Sequence, residues 1–520
     1  MKKIINAIIV FVTSFSLFGF VVNAEETAEK AVEGGTLKLP IQSDPDVMNP
    51  LFSYDSTTGA ILNSLYDPLF ELNGDEIIYK LAESIEPSED FLTYTLKLKE
   101  ELKWHDGEPI TSDDIVFSVK AILDEKQESY KRDSLVVDGK PIEVNAIDDL
   151  TIEFKLQTVS VPFLVDLSKV TPIPAHIFEG EEKISESQKN EEPVGSGPFK
   201  LKEIKSGEYV LVEKFDDYYG GAPIIDNIEY RIIADPQASQ TALLNGELDY
   251  LSIGAEDIPT FDGNEAMQVY VYDNKRVSNM IFKLKNEDLA KLNVRKAISY
   301  AINKEELIEG NYGDTGLSEK AYSFYPPKAL FYTDEVERYE FDQEKSKELL
   351  KEEGYNTGDI NLVIGYTNAN AQQETYALIM QQQLSEVGIN VEVKAMERGA
   401  FVEELVNPES DAFDIAYNSY ALGLEPSKYA PLLLSGNANN FMGYSNEEVD
   451  ELFAKGVTET DDTKRSEIYG KIQKIVLEEL PLLPIDYPAN VAVFNSKIRG
   501  LDDPENGRFF TDLSKVYFVE

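Results

Sequence analysis

Cysteine is absent from the 520 residues. That excludes disulfides, thiolate metal sites, a cysteine nucleophile and the acylated cysteine of a lipoprotein. Histidine occurs only as His105 and His176. A multi-histidine metal centre cannot be built from two, and a Ser-His-Asp triad has little material without a GxSxG turn. No catalytic residue, metal ligand or cofactor is therefore expected. Gly195, Gly197 and Pro198 are not followed by the Lys-Ser/Thr helix of a phosphate loop, so they read as a tight turn. Trp104 is the single tryptophan, against 28 tyrosines and 26 phenylalanines. Aromatic surfaces are therefore mostly phenolic, and a sugar platform would have to be built from tyrosine. Positive charge is also scarce: 48 Lys and Arg stand against 95 Asp and Glu, a net charge of -47. Nucleic acid, which needs a basic stripe, is excluded as a partner. The acidity reads as a solvated surface, with attraction of cationic cargo as its functional counterpart.

Long apolar runs are missing except at the start. Lys2 and Lys3 precede an almost wholly apolar stretch, 4–22, and Val22-Asn23-Ala24 offers a small-residue cleavage site. Residues 1–24 thus read as an export signal. The run is close to spanning length, which leaves an uncleaved anchor as the alternative. Residues 25–33 read as a short polar tether. The product is expected outside the cytoplasm, either periplasmic or at the cell surface, and not as a lipoprotein.

What remains is long enough for two or three compact units. TLKLPI (36–41) alternates as a strand does, and a short helix follows over 57–65. Residues 91–98 and 150–156 are half-buried strands around a helix from Thr111 to Leu123, whose Thr-Ser-Asp-Asp start supplies a cap and an acidic first turn. The stretch 195–250 is mostly strand, closed by a helix that Gly246 stops. From about 275 the character changes. Apolar residues at helical spacing occupy 293–310. Helices over 342–353, 372–387 and 463–479 alternate with strands at 361–367, 389–396, 413–418 and 481–494. This is the rhythm of an α/β unit, following an α+β unit over about 71–190.

Eight blocks in order carry a resemblance: YKLAESIEPSEDFLTYTLKLKEELKWHDGEPITSDDIVFS (79–118), PIPAHIF (172–178), GSGPFK (195–200), DYYGGAP (217–223), NGELDY (245–250), NVRKAISYAINKEELI (293–308), FDQEKSKELLKEEGY (341–355) and GYSNEEVDELF (443–453). From Gly34 to the end the chain resembles the extracytoplasmic solute-binding proteins of family 5, the peptide/nickel type. The resemblance implies an α/β, two-lobed, class II periplasmic-binding-protein-like fold with a hinge and an interlobe cleft. Lobe I would comprise 34–70, 195–275 and 481–520, with 71–194 inserted as a mixed α+β accessory domain. Lobe II would be 276–480. A monomer is expected that binds di- or oligopeptides and passes them to a membrane permease and its ATPases. The alternatives are another solute on the same fold, such as an oligosaccharide or nickel chelate, or a surface peptide receptor that does not transport. A secreted hydrolase would need a nucleophile-base pair that the chain does not show.

The resemblance also places a site. FDIAYNSYALGLEPSKY (413–429) would line the cleft, through Tyr417, Asn418, Ser419, Tyr420, Ala421, Leu422, Gly423 and Glu425. Peptide binders of the family often set an aspartate shortly before the Asp/Glu-Pro pair to grip the peptide ammonium. Counting from Glu425-Pro426, that place is Leu422, which puts such an anchor in doubt. Arg398 is expected to pair with a ligand carboxylate. Asn49, Tyr54 and Asp55 would face the cleft from lobe I, and Arg276 and Asn279 would lie at the hinge. His105, His176 and Trp104 read as structural.

Overall fold

The computed structural model describes residues 30–74, 76–313, 315–504 and 507–520. The expected export signal and residues 25–29 of the expected tether lie outside them. The rest of the tether joins the fold, because Ala31–Val32 pairs antiparallel with Tyr517–Val519.

Thr36–Ile41, the first long strand, alternates half-buried and buried residues and lies parallel to Asn227–Ile232. Phe199–Lys205 and Tyr209–Lys214 complete that four-stranded sheet. A second four-stranded sheet is built from Ala82–Pro87, Thr93–Leu98, Thr151–Lys155 and Glu143–Asp148. Helix Ser112–Leu123 covers it, begun by a capping box between Thr111 and Asp114. One apolar core runs through all of this, from Leu37 to Tyr230, and takes in Phe494 and Val516 near the C-terminus. Two others, centred on Ile298 and Tyr469, lie wholly within residues 280–485. The chain therefore forms two lobes.

The blocks 195–200 and 217–223 pack the first lobe. Gly197 N–H donates to Leu65 O at 2.8 Å. A Cβ on Gly195 would sit 1.8 Å from Leu65 O, so only glycine permits this approach. His105 closes the junction. Its Nδ1 accepts from Gly195 N and its Nε2 donates to Gly197 O, both at 3.0 Å. An Nδ1 that accepts is unprotonated, and burial pushes the ring's pKa down to about 4. Tyr218 and Tyr219 hydroxyls both donate to Asp67 Oδ2 at 2.7 Å. His176 Nε2 meets Asp106 Oδ2 at 2.8 Å, and Trp104 is fully buried. The readings of His105, His176 and Trp104 as structural agree with these contacts.

Among the described residues an eight-stranded sheet runs from the first lobe into the second and carries the second-lobe core. Its main path runs Tyr250–Ile253, Leu482–Asn495, Val277–Phe282, Ile415–Tyr420, Asn361–Thr367, Asn390–Met396. Most helix ends fall within one or two residues of the pattern-based expectation. Gly354 and Gly388, at φ 88°, follow helices Gln343–Glu352 and Ala371–Glu386. The stretch 293–310 differs: it breaks into Leu292–Ala301 and Lys304–Tyr312, because Asn303 caps the second helix through Glu305 N. Arg295 is buried and donates to the carbonyls of Leu289, Ala290, Glu479 and Leu480, closing the C-terminal end of helix Asp462–Glu479.

The strand Leu482–Asn495 belongs to both lobes. Its first residues pair with Val277–Phe282, and residues 489–495 pair with Met267–Asp273. The lobes are thus joined at two adjacent places, 274–276 and 487–488. Asn274 Nδ2 donates to Asn490 Oδ1 at 2.9 Å and ties the two crossings together.

Candidate functional site

Three strands of the second-lobe sheet, Ile415–Tyr420, Asn361–Thr367 and Asn390–Met396, run parallel. Their carboxyl ends therefore share one edge, where open α/β sheets receive ligands. A cavity of about 840 Å³ lies there. Thr367, residues 369–373, Arg398, Phe401, Val402 and Leu405 line it from the strand ends and the helices that follow. Tyr417, Asn418, Ser419, Arg276 and Ser278 form its floor. The first lobe closes it with residues 253–256, and the crossings contribute Asn274 and residues 488–491. The cavity thus lies between the lobes, beside both hinge segments.

Each wall is fixed by local bonds. Asn370 caps helix Ala371–Glu386 through Gln373 N at 3.1 Å, and Gln373 Oε1 accepts from Thr367 N at 3.0 Å. Helix Arg398–Val406 is capped by Glu397, which accepts from Gly399 N at 2.7 Å. Its far end is held by buried Lys283, whose Nζ donates to the carbonyls of Glu404, Leu405 and Asn407. Burial lowers the Lys283 pKa to about 8. Residues 398, 401, 402 and 405 of this helix share one face, so an arginine heads an apolar stripe along the wall.

The floor strand is paired along one edge and only in part along the other. Ile415–Tyr420 pairs with Val277–Phe282 over six registers, but with Asn361–Thr367 only at Ile415 and Ala416. Beyond Ala416 the strands part. Among the described residues no strand neighbours the edge of residues 417–419 that faces the gap, and this edge borders the cavity; Ser419 is bonded locally, its N–H to Asn418 Oδ1 at 2.9 Å and its carbonyl to Arg276 Nη1 at 3.1 Å. Beneath it Asp486 is fully buried. It accepts from Ser318 Oγ at 2.6 Å and from the Tyr417 hydroxyl at 3.5 Å, and burial raises its pKa above the usual carboxylate range. Tyr417 stacks on Tyr376 with ring centroids 4.2 Å apart.

Of the residues expected at the site, Arg276, Arg398, Tyr417, Asn418 and Ser419 meet at this cavity. The others do not, and each has a physical reason. Asn49 is buried, donating to Asn190 Oδ1 at 3.0 Å and accepting from Leu51 N. Tyr54 is 81% exposed and rests edge-on against Tyr130, outside the cavity lining. Asp55 is spent capping helix Ser56–Leu65 through Thr58 N. Asn279 is buried within the sheet and donates to Val277 O. Tyr420 turns into the second-lobe core, and Leu422 packs partly against it. Ala421 and Gly423 are exposed outside the lining. Glu425 is 5% exposed and bound to Arg465 Nη2 at 2.8 Å, an internal ion pair that leaves no carboxylate for a ligand. The residues that sequence reasoning missed are chiefly 367–373 and 253–256. Their only signal was position, at the ends of strands expected to close an α/β sheet. Among the described residues no group of three or more His, Cys, Asp or Glu side chains is gathered for a metal ion. None of their helices is long and apolar enough to cross a membrane.

Comparison with known proteins gives this geometry its context. The family model described as bacterial extracellular solute-binding proteins, family 5 middle region, matches residues 76–441. The oligopeptide-binding protein AppA of Bacillus subtilis (strain 168) is 29% identical over 510 residues, 92% of this chain and 91% of its own length. Among solved structures, the ABC transporter substrate-binding protein CtaP from Listeria monocytogenes is 39% identical. It matches 94% of this chain and 100% of its own with a TM-score of 0.90. AppA from Bacillus subtilis in complex with a nonapeptide matches 94% of this chain and 100% of its own, with a TM-score of 0.77 and 26% identity.

Proposed function

Because the chain belongs to the bacterial extracellular solute-binding proteins of family 5, we propose that it binds di- or oligopeptides between its lobes and delivers them to the permease and ATPases of an ABC importer. The observation that carries this reading is the free strand edge at 417–419, facing a cavity that both lobes line. An extended peptide laid into the gap completes the sheet. Its main chain exchanges hydrogen bonds with the gap-facing groups of this edge, and its side chains enter the surrounding space. Each such bond contributes roughly 1 kcal/mol net. A few bonds, with apolar burial against Phe401, Val402 and Leu405, reach the roughly -8 kcal/mol of micromolar affinity. Backbone recognition tolerates many cargo sequences.

The two crossings at 274–276 and 487–488 serve as the hinge, and closing it would bring 253–256 onto the bound peptide. Binding and release, with no covalent step, are the whole of the chain's own chemistry in this reading. Delivery places it outside the cytoplasm, next to the permease. The division of the first lobe into a base and an inserted unit over 71–194 belongs to the same proposal.

The test is mass spectrometry of small molecules co-purified with the exported protein after gentle denaturation. Peptides of a few residues are expected. A homogeneous non-peptide solute at stoichiometric occupancy would replace the cargo assignment and leave the fold in place.

A further inference from the structure

Two cavity residues do not behave like the rest of their kind. Arg132, Arg231, Arg338, Arg465 and Arg508 each pair with a carboxylate, Arg295 is spent on helix-end carbonyls, and Arg499 donates to the carbonyls of Ser496 and Ile498. In a chain with 95 acidic and 48 basic residues, a partner is easy to find. Yet neither Arg276 nor Arg398 has a carboxylate within 4.0 Å among the described residues, and both line the interlobe cavity. Arg276 donates once, from Nη1 to Ser419 O at 3.1 Å, which uses one of its five N–H donors. Arg398 is exposed at the start of its helix. The lining holds no Lys, His or Asp, and its one acid is Glu256. The cavity lining therefore has a positive excess inside a molecule of net charge -47.

On the second-lobe side of the cavity the opposite charge is missing, and Glu256 on the first lobe is the one carboxylate in the lining. Leu422 stands outside the lining, Glu425 is locked by Arg465, and Asp486 is sealed beneath the floor. Arg276 and Arg398 flank the free strand edge. Arg276 precedes strand Val277–Phe282 and Arg398 follows strand Asn390–Met396, on opposite sides of strand Ile415–Tyr420 in the sheet order. A peptide lying along 417–419 would pass between them.

We infer that the cargo is held by its carboxylates, with Arg276 and Arg398 as the specificity-determining residues, and that its terminal ammonium has no carboxylate anchor on the second-lobe wall, Glu256 of the first lobe being the one acid in the lining. This rests on the peptide reading above. A guanidinium offers a planar pair of donors to a carboxylate, which an amide end cannot match. The carboxylate can be the peptide C-terminus or an acidic side chain.

The experiment uses three versions of one random pentapeptide library: unmodified, N-acetylated and C-amidated. Each is incubated with the whole protein, and bound species are read by mass spectrometry. The unmodified and N-acetylated libraries should be retained equally. The amidated library should be retained roughly tenfold less, as loss of a charge-assisted hydrogen bond predicts. Whatever is retained from it should be enriched in Asp and Glu. Arg276→Gln and Arg398→Gln together should remove both preferences without a change in melting temperature. Dependence on the terminus alone identifies the C-terminal carboxylate as the source, and enrichment of acidic side chains alone identifies the other. Equal retention of amidated peptides free of Asp and Glu would overturn the inference and leave peptide binding intact. Preferential loss of the N-acetylated library would also overturn it. Failure to retain any library would remove the peptide reading itself, and this inference with it.

Discussion

The junction around Gly195 is a turn packed on its lobe and the cavity edge at 417–419 is the end of a sheet strand, and their polar groups are treated in opposite ways. At the junction the glycine backbone is partnered: Gly195 N and Gly197 O bond to His105, and Gly197 N bonds to Leu65 O. At the cavity edge the strand partner is withheld, and the Ser419 backbone is left to the side chains of Asn418 and Arg276. The strand separates from its neighbour after Ala416, and two arginines lack carboxylates. A satisfied region holds a shape, whereas an unsatisfied one waits for something to complete it. The blocks that identify the family most readily belong to the first kind, and binding is assigned to the second.

Substitutions can break this contrast. The largest effect is expected at Gly195→Ala, whose Cβ meets Leu65 O at 1.8 Å, backbone against side chain with no room to yield. Folded protein should fail to accumulate, or lose more than ~4 kcal/mol in chemical denaturation. Next is Glu425→Ala, which strands the buried Arg465 guanidinium. A loss of ~3–5 kcal/mol is expected, with no direct effect on ligand contacts. If stability is unchanged while peptide affinity falls, Glu425 belongs to the site after all.

The third test is acid. His105 is neutral in the fold, with its pKa lowered to about 4 from the ordinary 6.5. Between these values the unfolded chain binds the proton and the native one does not, so this residue's contribution is complete above pH 6.5 and shrinks as pH falls towards 4. Wild type should lose up to ~3 kcal/mol across that window relative to His105→Gln, measured by denaturation at each pH. An imidazole that titrates near 6.5 by NMR would contradict the closed junction.

Leu422→Arg probes the border between the two kinds of region. Leu422 packs partly against the second-lobe core and lies outside the cavity lining, so stability should fall by ~1–2 kcal/mol and affinity should hold. The smallest stability effect belongs to Ser419→Ala at the cavity edge, within ~0.5 kcal/mol of wild type.

Much of this architecture could be read from the sequence, because it is local. The alternation of TLKLPI, the Thr111-Asp114 cap and the glycine stops after helices are set by near neighbours. The cleft was legible only in part. Residues 417–419 and the two arginines were found through resemblance. The same reasoning extended the site along the chain to Glu425, although the backbone turns into the core after Ser419. Whether a carboxylate faces a cavity or an arginine forty residues away is a tertiary fact. Residues 367–373 and 253–256 were missed for the same reason. Asn49 and Asp55 went astray because a buried amide and a helix cap have the composition of a polar site.

The central claim is that peptides occupy the gap beside 417–419. The most direct measurement is calorimetric titration of a random tetra- to hexapeptide pool into wild type and into Asn418→Trp, which fills that gap from its floor. Saturable heat in the micromolar range with wild type, and its loss in a variant that melts at the wild-type temperature, is the predicted result. Equal binding by both proteins, or no binding to wild type while another solute class binds, would contradict it.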